Sequence, residues 1–363
     1  MLQAFLDWRK RYKQYEPAIF FTAGFLFDVL SLRRIDDWLK LGFQIFFLIL
    51  LGYFLILQYR SGKPDWQIPR ALRKIWPYQI ELVHFFFGSL LSAFAIFYFK
   101  SASVSRSVIF MALIIVLMIV NELRFVRKQG VQFRVILFSF CLTSFLIYFF
   151  PVLRGSMGVS IFLAAVIIAT ALTALLLLKM VKRDSYDVRR KSFIQMGIPS
   201  LAVNLTLVIC YFLKVIPPVP LSMTFGGVYH KISKVNGAFE LYSQKKWYDF
   251  WSHGDQQFLA RNDEPVFCFV RVFAPAQFSH NIFLRWQLYD NRLKEFMDQD
   301  RIGMNIFGGR SEGFRGFAFK SHYQPGKWRV VVETDDGRPI GEIPFTLEID
   351  SSDSPRVWMV EEG

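Results

Sequence analysis

Cysteine is almost missing from this chain. Cys141, Cys210 and Cys268 are the only three in 363 residues, and the first two fall inside apolar runs. One cysteine in the hydrophilic remainder excludes a disulfide framework or a Cys-rich metal cluster there. All three read as small buried hydrophobes. Histidine is sparse too, and His230, His253, His280 and His322 are too widely spaced for a metal-ligand pattern. Neither a metal site nor a cofactor is expected. There is no phosphate-loop signature and no G-x-S-x-G elbow, so no catalytic residue is assigned. Residues 1–15 are too charged for the apolar core of a cleavable signal peptide and lack a small-residue cleavage site. No long internal repeat or low-complexity tract is present.

Acidic residues are also scarce in the first two-thirds of the chain. The formal charge is +14, yet residues 219–363 carry 17 Lys+Arg against 19 Asp+Glu. The apolar remainder therefore holds 26 basic residues against 10 acidic ones. A nucleic-acid site would need its basic footprint on the hydrophilic part, which is slightly acidic, so no nucleic-acid partner is expected. Basic residues crowded between hydrophobic segments are instead what insertion into a lipid bilayer produces.

What is abundant is phenylalanine, 41 residues in a chain that is 53% hydrophobic. Apolar runs fall at 17–32, 41–59, 78–99, 104–121, 133–151, 157–178 and 195–213. About twenty residues at roughly 1.5 Å rise cross a roughly 30 Å hydrocarbon layer, so seven transmembrane helices are expected within a helical bundle at 17–213. The runs are continuous rather than alternating, which excludes barrel strands. Counted with Arg134 and Arg106 at the ends of the adjoining runs, the segments before the first run and after the second, fourth and sixth hold 19 Lys+Arg, and the intervening ones hold 6. This alternation places the N-terminal segment 1–16 in the cytoplasm. After seven crossings, the C-terminal domain lies on the opposite, outer side.

Lys214-Val-Ile-Pro-Pro-Val-Pro220 ends the apolar series. Its prolines cannot continue a helix and favour an extended tether over 214–220. Beyond it, 221–363 reads as an all-β, sandwich-like soluble domain of immunoglobulin-like type. Strands are expected at Pro265–Ala274, Ile282–Tyr289, Gly303–Phe307, Phe314–Lys320, Lys327–Glu333 and Ile340–Ile349. Leu284, Trp286 and Leu288 alternate with Arg285, Gln287 and Tyr289, the period of a half-buried strand. Asp335-Asp336-Gly337 supplies a hairpin turn.

Within the bundle, Asp28 is a carboxylate in an apolar run, which makes it a functional candidate. It lies about one turn from Arg33 and Arg34, so a structural pairing at the membrane surface is the competing reading. Glu81 and His84 share a helix face at i, i+3, half of a di-iron motif whose second copy is missing. A buried hydrogen-bonded pair is the plainer reading, with Asn121 and Glu122 at the same level. Asn204-Leu205-Thr206 matches a glycosylation sequon but lies inside an expected span. In the β domain the densest signal is Gly308-Gly309-Arg310-Ser311-Glu312-Gly313-Phe314-Arg315-Gly316, followed by Pro325-Gly326-Lys327-Trp328. Such glycine density permits tight turns and positive φ. Arg310, Glu312, Arg315 and Trp328 are candidates for a ligand rim that recognises a carboxylate, a phosphate or sugar hydroxyls. A turn with structural ion pairs and Trp328 packed in the core is the alternative.

The stretch from Gly308 to Phe345, with GGRSEGFRG, PGKWRVVVET, DGR and Gly341–Phe345, resembles the bacterial family called domain of unknown function 2914. The N-terminal GFLFDVLSLRRIDD is similar to the membrane portion that accompanies this domain in some members. The resemblance implies a bacterial envelope protein with a small β domain, so the membrane is expected to be the inner one and the C-terminal domain periplasmic or extracellular; it brings no catalytic residues. The expected function is a non-enzymatic scaffold or binding role, with a glycan or a periplasmic protein as partner. The alternative is a transporter or intramembrane enzyme using Asp28, Glu81 and His84.

Overall fold

The computed structural model describes residues 37–64, 66–101, 112, 114–116, 130–245, 252–261, 264–275, 278–308, 313–352 and 354–363. The chain divides into a helical unit that runs to Ile216 and a β-rich unit made chiefly of Pro217–Gly363.

Five described helices are long and apolar enough to cross a membrane, which marks a membrane protein. They are α1 (Trp38–Ser61), α2 (Gln79–Lys100), α3 (Gly130–Arg154), α4 (Val159–Met180) and α5 (Tyr186–Phe212). The expected spans 41–59, 78–99, 133–151, 157–178 and 195–213 each fall within one of them or overrun its end by one or two residues. The span at 17–32 lies outside the described residues. So does that at 104–121, apart from 112 and 114–116, which are helical.

Asp37 starts α1 as an N-cap, its carboxylate accepting the Leu39 N–H at 3.0 Å and satisfying one of the donors that a helix start leaves open. Helix α3 is the most enclosed of the five. Its Tyr148 donates a hydrogen bond to Gln44 of α1 and meets the edges of Phe94, Phe97 and Phe145, at 6.0, 5.4 and 5.3 Å between centroids. Helices α4 and α5 turn Ile167, Leu172, Leu175, Ile198, Leu201 and Leu205 outward. Helix α5 carries a π turn at Phe193–Gly197. Pro199 follows at once; it has no N–H for the Gln195 carbonyl, and its ring crowds that oxygen, so the turn widens.

The β unit contains eleven strands among the described residues. They are β1 (Ser222–Tyr229), β2 (Lys231–Val235), β3 (Ala238–Ser243), β4 (Gln257–Ala260), β5 (Val266–Phe273) and β6 (Ser279–Asp290), then β7 (Glu295–Phe307), β8 (Phe314–Lys320), β9 (Gly326–Thr334), β10 (Pro339–Ile349) and β11 (Met359–Glu362). They form sheets ordered β1-β5-β8, β4-β10-β9-β6-β7 and β11-β3-β2. All six expected strands are present. Of the other five, β1, β2, β4 and β11 escape sequence patterning for physical reasons. Strand β1 holds Gly226-Gly227, which weaken a strand pattern, and β4 and β11 are four residues each. Strand β2 sets Lys231 and Lys234 among its five residues.

The alternation read in β6 holds through Ile282, Leu284 and Trp286, all fully buried. A register shift against β7 between Trp286 and Gln287 then breaks it. The extra residue of this bulge is Gln299 of β7, which has no partner on β6. Gln287 is buried beside the bulge, accepting from Arg329 Nε at 2.7 Å and donating to Asp298. The Asp335–Gly337 turn forms as expected, with Gly337 at φ +75° and its N–H on the Thr334 carbonyl at 3.0 Å. The proline segment departs from an extended run. Val219 N–H bonds Pro217 O at 2.8 Å and Leu221 N–H bonds Pro218 O at 2.9 Å. These are local turns, with Ile216, Val219 and Leu221 buried.

Candidate functional site

Of the expected rim residues, Arg310 and Glu312 lie outside the described residues. Arg315 is half-buried on β8, opposite Arg271 of β5. Trp328 is 2% exposed. Its indole donates to the Gln324 carbonyl at 2.9 Å and its ring stacks on Phe345 at 6.4 Å. Trp328 therefore packs in the core, where its face is closed to a ligand. The glycines do what their density implies. Gly313 takes φ +102°, and a Cβ there would sit 2.9 Å from the Val272 carbonyl. Gly326 takes φ +148° where the chain enters β9.

The Pro325-Gly326-Lys327 part of the signal does line a cleft, of about 810 Å³. Three segments build it: the β6–β7 turn with Tyr289, Asp290 and Arg292, the β8–β9 turn with Gln324 and Lys327, and the end of β10 with Glu348. Strand pairing brings them together, since Leu347 of β10 faces Gly326 and Leu288 of β6 faces Trp328 across the same β9. Asp290 fixes the turn by accepting the Arg292 and Leu293 N–H groups at 2.7 and 3.2 Å. Tyr289 is braced edge-on against Phe296 at 5.2 Å, and the Arg329 guanidinium lies 4.1 Å over the Phe296 ring. The cleft thus offers two exposed cations, Arg292 and Lys327, two acids and a braced tyrosine. That set suits a polar ligand with hydroxyls and a carboxylate or phosphate.

A second polar centre is buried, and its members are far apart in sequence. The His230 side chain is fully enclosed, with Nδ1 2.8 Å from Glu264 Oε1 and Nε2 3.4 Å from Asp255 Oδ2. Its ring stacks on Phe258 at 4.0 Å and meets the edge of Trp358 at 5.3 Å. Arg356 Nη1 donates to both Glu264 oxygens at 2.7 Å, and Nη2 donates to the Leu259 carbonyl at 2.6 Å. Arg261 Nε bonds Asp350 at 2.9 Å.

Electrostatics separates these groups. Burial lowers the His230 pKa and keeps the imidazole neutral. Burial pushes Asp255 up to about 7, against the Gln244 N–H that favours its charge. Burial would raise Glu264 as well, but hydrogen bonds from His230 and Arg356 outweigh it and hold that carboxyl at about 2. The cluster ties the chain after β10 back onto β1 and β4. No local pattern links positions 230, 255, 264 and 356, so sequence reasoning had no signal for it. Among the described residues, no group of three or more His, Cys, Asp or Glu side chains is arranged to hold a metal ion.

In the helical unit, Glu81 and His84 are 7% and 3% exposed on α2. Asp28, Asn121 and Glu122 lie outside the described residues. A cavity of about 400 Å³ lies among α3, α4 and α5, and neither Glu81 nor His84 lines it. Apart from Arg190 at one end, its polar groups are the neutral side chains around Asn204. The Asn204 amide oxygen accepts from Thr143 at 2.8 Å and Ser139 at 3.4 Å, and its nitrogen donates to Thr170 at 2.8 Å.

The architecture is that of a membrane protein with several apolar helices and a C-terminal β-rich domain. Residues 279–347, spanning β6 into β10, match the model of the family described as Protein of unknown function (DUF2914). The chain thus carries a C-terminal domain of that family. No curated protein matches the chain. Among solved structures, a likeness is found to the Pseudomonas fluorescens alkylpurine DNA glycosylase AlkC bound to DNA containing an abasic site analog. It has 11% identity over 84% of this chain and 99% of that one, with a TM-score of 0.21. At that score it carries no argument about fold or function.

Proposed function

We propose that this chain is a bacterial inner-membrane protein whose periplasmic β domain is a non-enzymatic binding module for an envelope glycan. The observation that carries the reading is the 810 Å³ cleft within the family-matched segment. Its Arg292 and Lys327 complement a carboxylate, and its amides, acids and Tyr289 suit sugar hydroxyls. Periplasmic placement is supported by the loop charges, 19 basic residues on one set of connections against 6 on the other. A sandwich arrangement is supported by two close approaches between sheets. A Cβ on Gly226 of β1 would come within 2.8 Å of Ile343 of β10, and one on Gly316 of β8 within 3.0 Å of Met304 of β7. The alternative, a transporter or intramembrane enzyme, gains no support from Glu81 and His84, which do not line the helical cavity.

The test uses the full chain in detergent and soluble peptidoglycan disaccharide-peptides as the probe. Calorimetry should show saturable binding that the Arg292→Ala, Lys327→Ala pair abolishes while thermal melting stays unchanged. Binding indifferent to the pair, or absent in the unaltered chain, overturns the glycan reading. An alkaline phosphatase fused after Gly363 should be active; an inactive fusion overturns the periplasmic side.

A further inference from the structure

The cavity in the helical unit has features that a packing defect lacks. It runs along α5 from Arg190 to Asn204, about 20 Å at the helical rise. Between those ends the π turn opens the helix wall, and the wall is apolar except for hydroxyls. One hydroxyl is unused: Ser200 Oγ is buried, lines the cavity, and has no hydrogen-bond partner among the described residues. An unsatisfied donor of this kind is uncommon in native proteins and invites an acceptor from outside the chain. At the far end Asn204, Ser139 and Thr170 are already bonded to one another and close the polar part of the pocket.

Charge decides which acceptor. Arg190 lines one end of the cavity, and Lys179, Lys182, Arg183, Arg189 and Lys191 are its neighbours in sequence, against Asp184 and Asp187. Asp184 is already taken, by Lys63 at 2.8 Å and by Tyr59. All six cations lie between the end of α4 and the π turn of α5, where both helices leave the hydrocarbon. Their charge therefore sits at headgroup level, directly above an apolar pocket between helices. That combination selects a molecule with an anionic head and an apolar body.

We propose that this cavity is a binding site for an anionic phospholipid. The phosphate lies at Arg190 within the basic rim, an ester carbonyl accepts from Ser200, and an acyl chain occupies the apolar wall opened by the π turn. The site rests on the membrane-spanning character of α3, α4 and α5 and is independent of any glycan binding by the β domain.

The full chain, purified in detergent, is mixed with phosphatidylglycerol or with phosphatidylethanolamine of the same chains, and retained lipid is counted by native mass spectrometry. Phosphatidylglycerol should be retained in preference. Arg190→Gln should lower its retention about fivefold, the loss expected for one basic contact at a membrane surface. Ala174→Phe, which fills the cavity without changing charge, should reduce both lipids while thermal melting shows the chain folded. Inorganic phosphate without lipid should give no protection against melting. Equal retention of the two lipids, retention unchanged by either substitution, or protection by phosphate alone would each overturn the site.

Discussion

The two units bury polar groups by different chemistry. In the helical unit the enclosed network is neutral, built on Asn204 with Thr143 and Thr170, each at 2.8 Å. In the β unit it is ionic: Glu333 is held by Arg285 and Arg301, both at 2.9 Å, and Glu264 by Arg356 at 2.7 Å. Among the described residues the helical exceptions include Glu81 and Arg134, within the first two turns of α2 and α3, and Asp184, paired with Lys63 in the turn between α4 and α5. The solvent in which each unit folds explains the difference. Beside hydrocarbon an ionised side chain has no water to fall back on, so amides and hydroxyls carry the interhelical bonds. In the β unit, arginines can keep part of the guanidinium in water while pinning a buried acid.

The sharpest way to break this comparison is through pH. Asp255 is 2% exposed at its side chain and its pKa stands at about 7 against an ordinary 3.8. A carboxyl raised in the folded state binds its proton more tightly there than in the unfolded chain. Its stabilising contribution is present below pH 3.8 and is lost as pH rises toward 7. The whole shift amounts to at most about 4 kcal/mol. Asp255→Asn should therefore melt above the unaltered chain at pH 8, with the gap closing toward pH 4. His230 works in the opposite sense, since a lowered imidazole pKa costs stability as pH falls below 6.5. Melting of Asp255→Asn should fall steadily on acidification from pH 6.5, and a flat profile would show that His230 is not buried neutral.

Removing an acid outright comes next. Glu333→Ala leaves Arg285 and Arg301 without their shared partner. Both arginines reach water, so the loss should lie near the low end for a broken buried pair, about 3 kcal/mol. Hydrogen exchange would report it as lost protection in β6, β7 and β9. The smallest effect is expected in the helical unit. Asn204→Leu should cost about 1 kcal/mol, the usual size of an interhelical hydrogen bond. Because no group there titrates, that cost should be identical at pH 5 and pH 8. A pH-dependent penalty would mean that the helical network contains a charge after all.

Legibility followed the range of the interactions involved. The five described spans were readable because each is a local run whose length must match a bilayer. The six expected strands were readable through alternation and turn residues such as Gly337. Strand β1, with its paired glycines, was not, because its place is secured by pairing with β5 rather than by its own pattern. Trp328 shows the limit on the site side. Its neighbourhood stood out in the sequence, yet packing on Phe345 turned it into core, while the adjacent Lys327 went to the cleft.

What the sequence determined by itself was the solvent of each region, hydrocarbon for the apolar helices and water for the β domain, and an uneven share of basic residues among the connecting segments. These depend on composition over ten to twenty residues, which a linear reading captures. Only the tertiary structure decided which polar groups meet. His230, Asp255, Glu264 and Arg356 converge through strand pairing, and Ser200 becomes an unused donor through the packing of α5. Both outcomes turn on contacts between residues far apart in the chain, and such contacts leave no local trace.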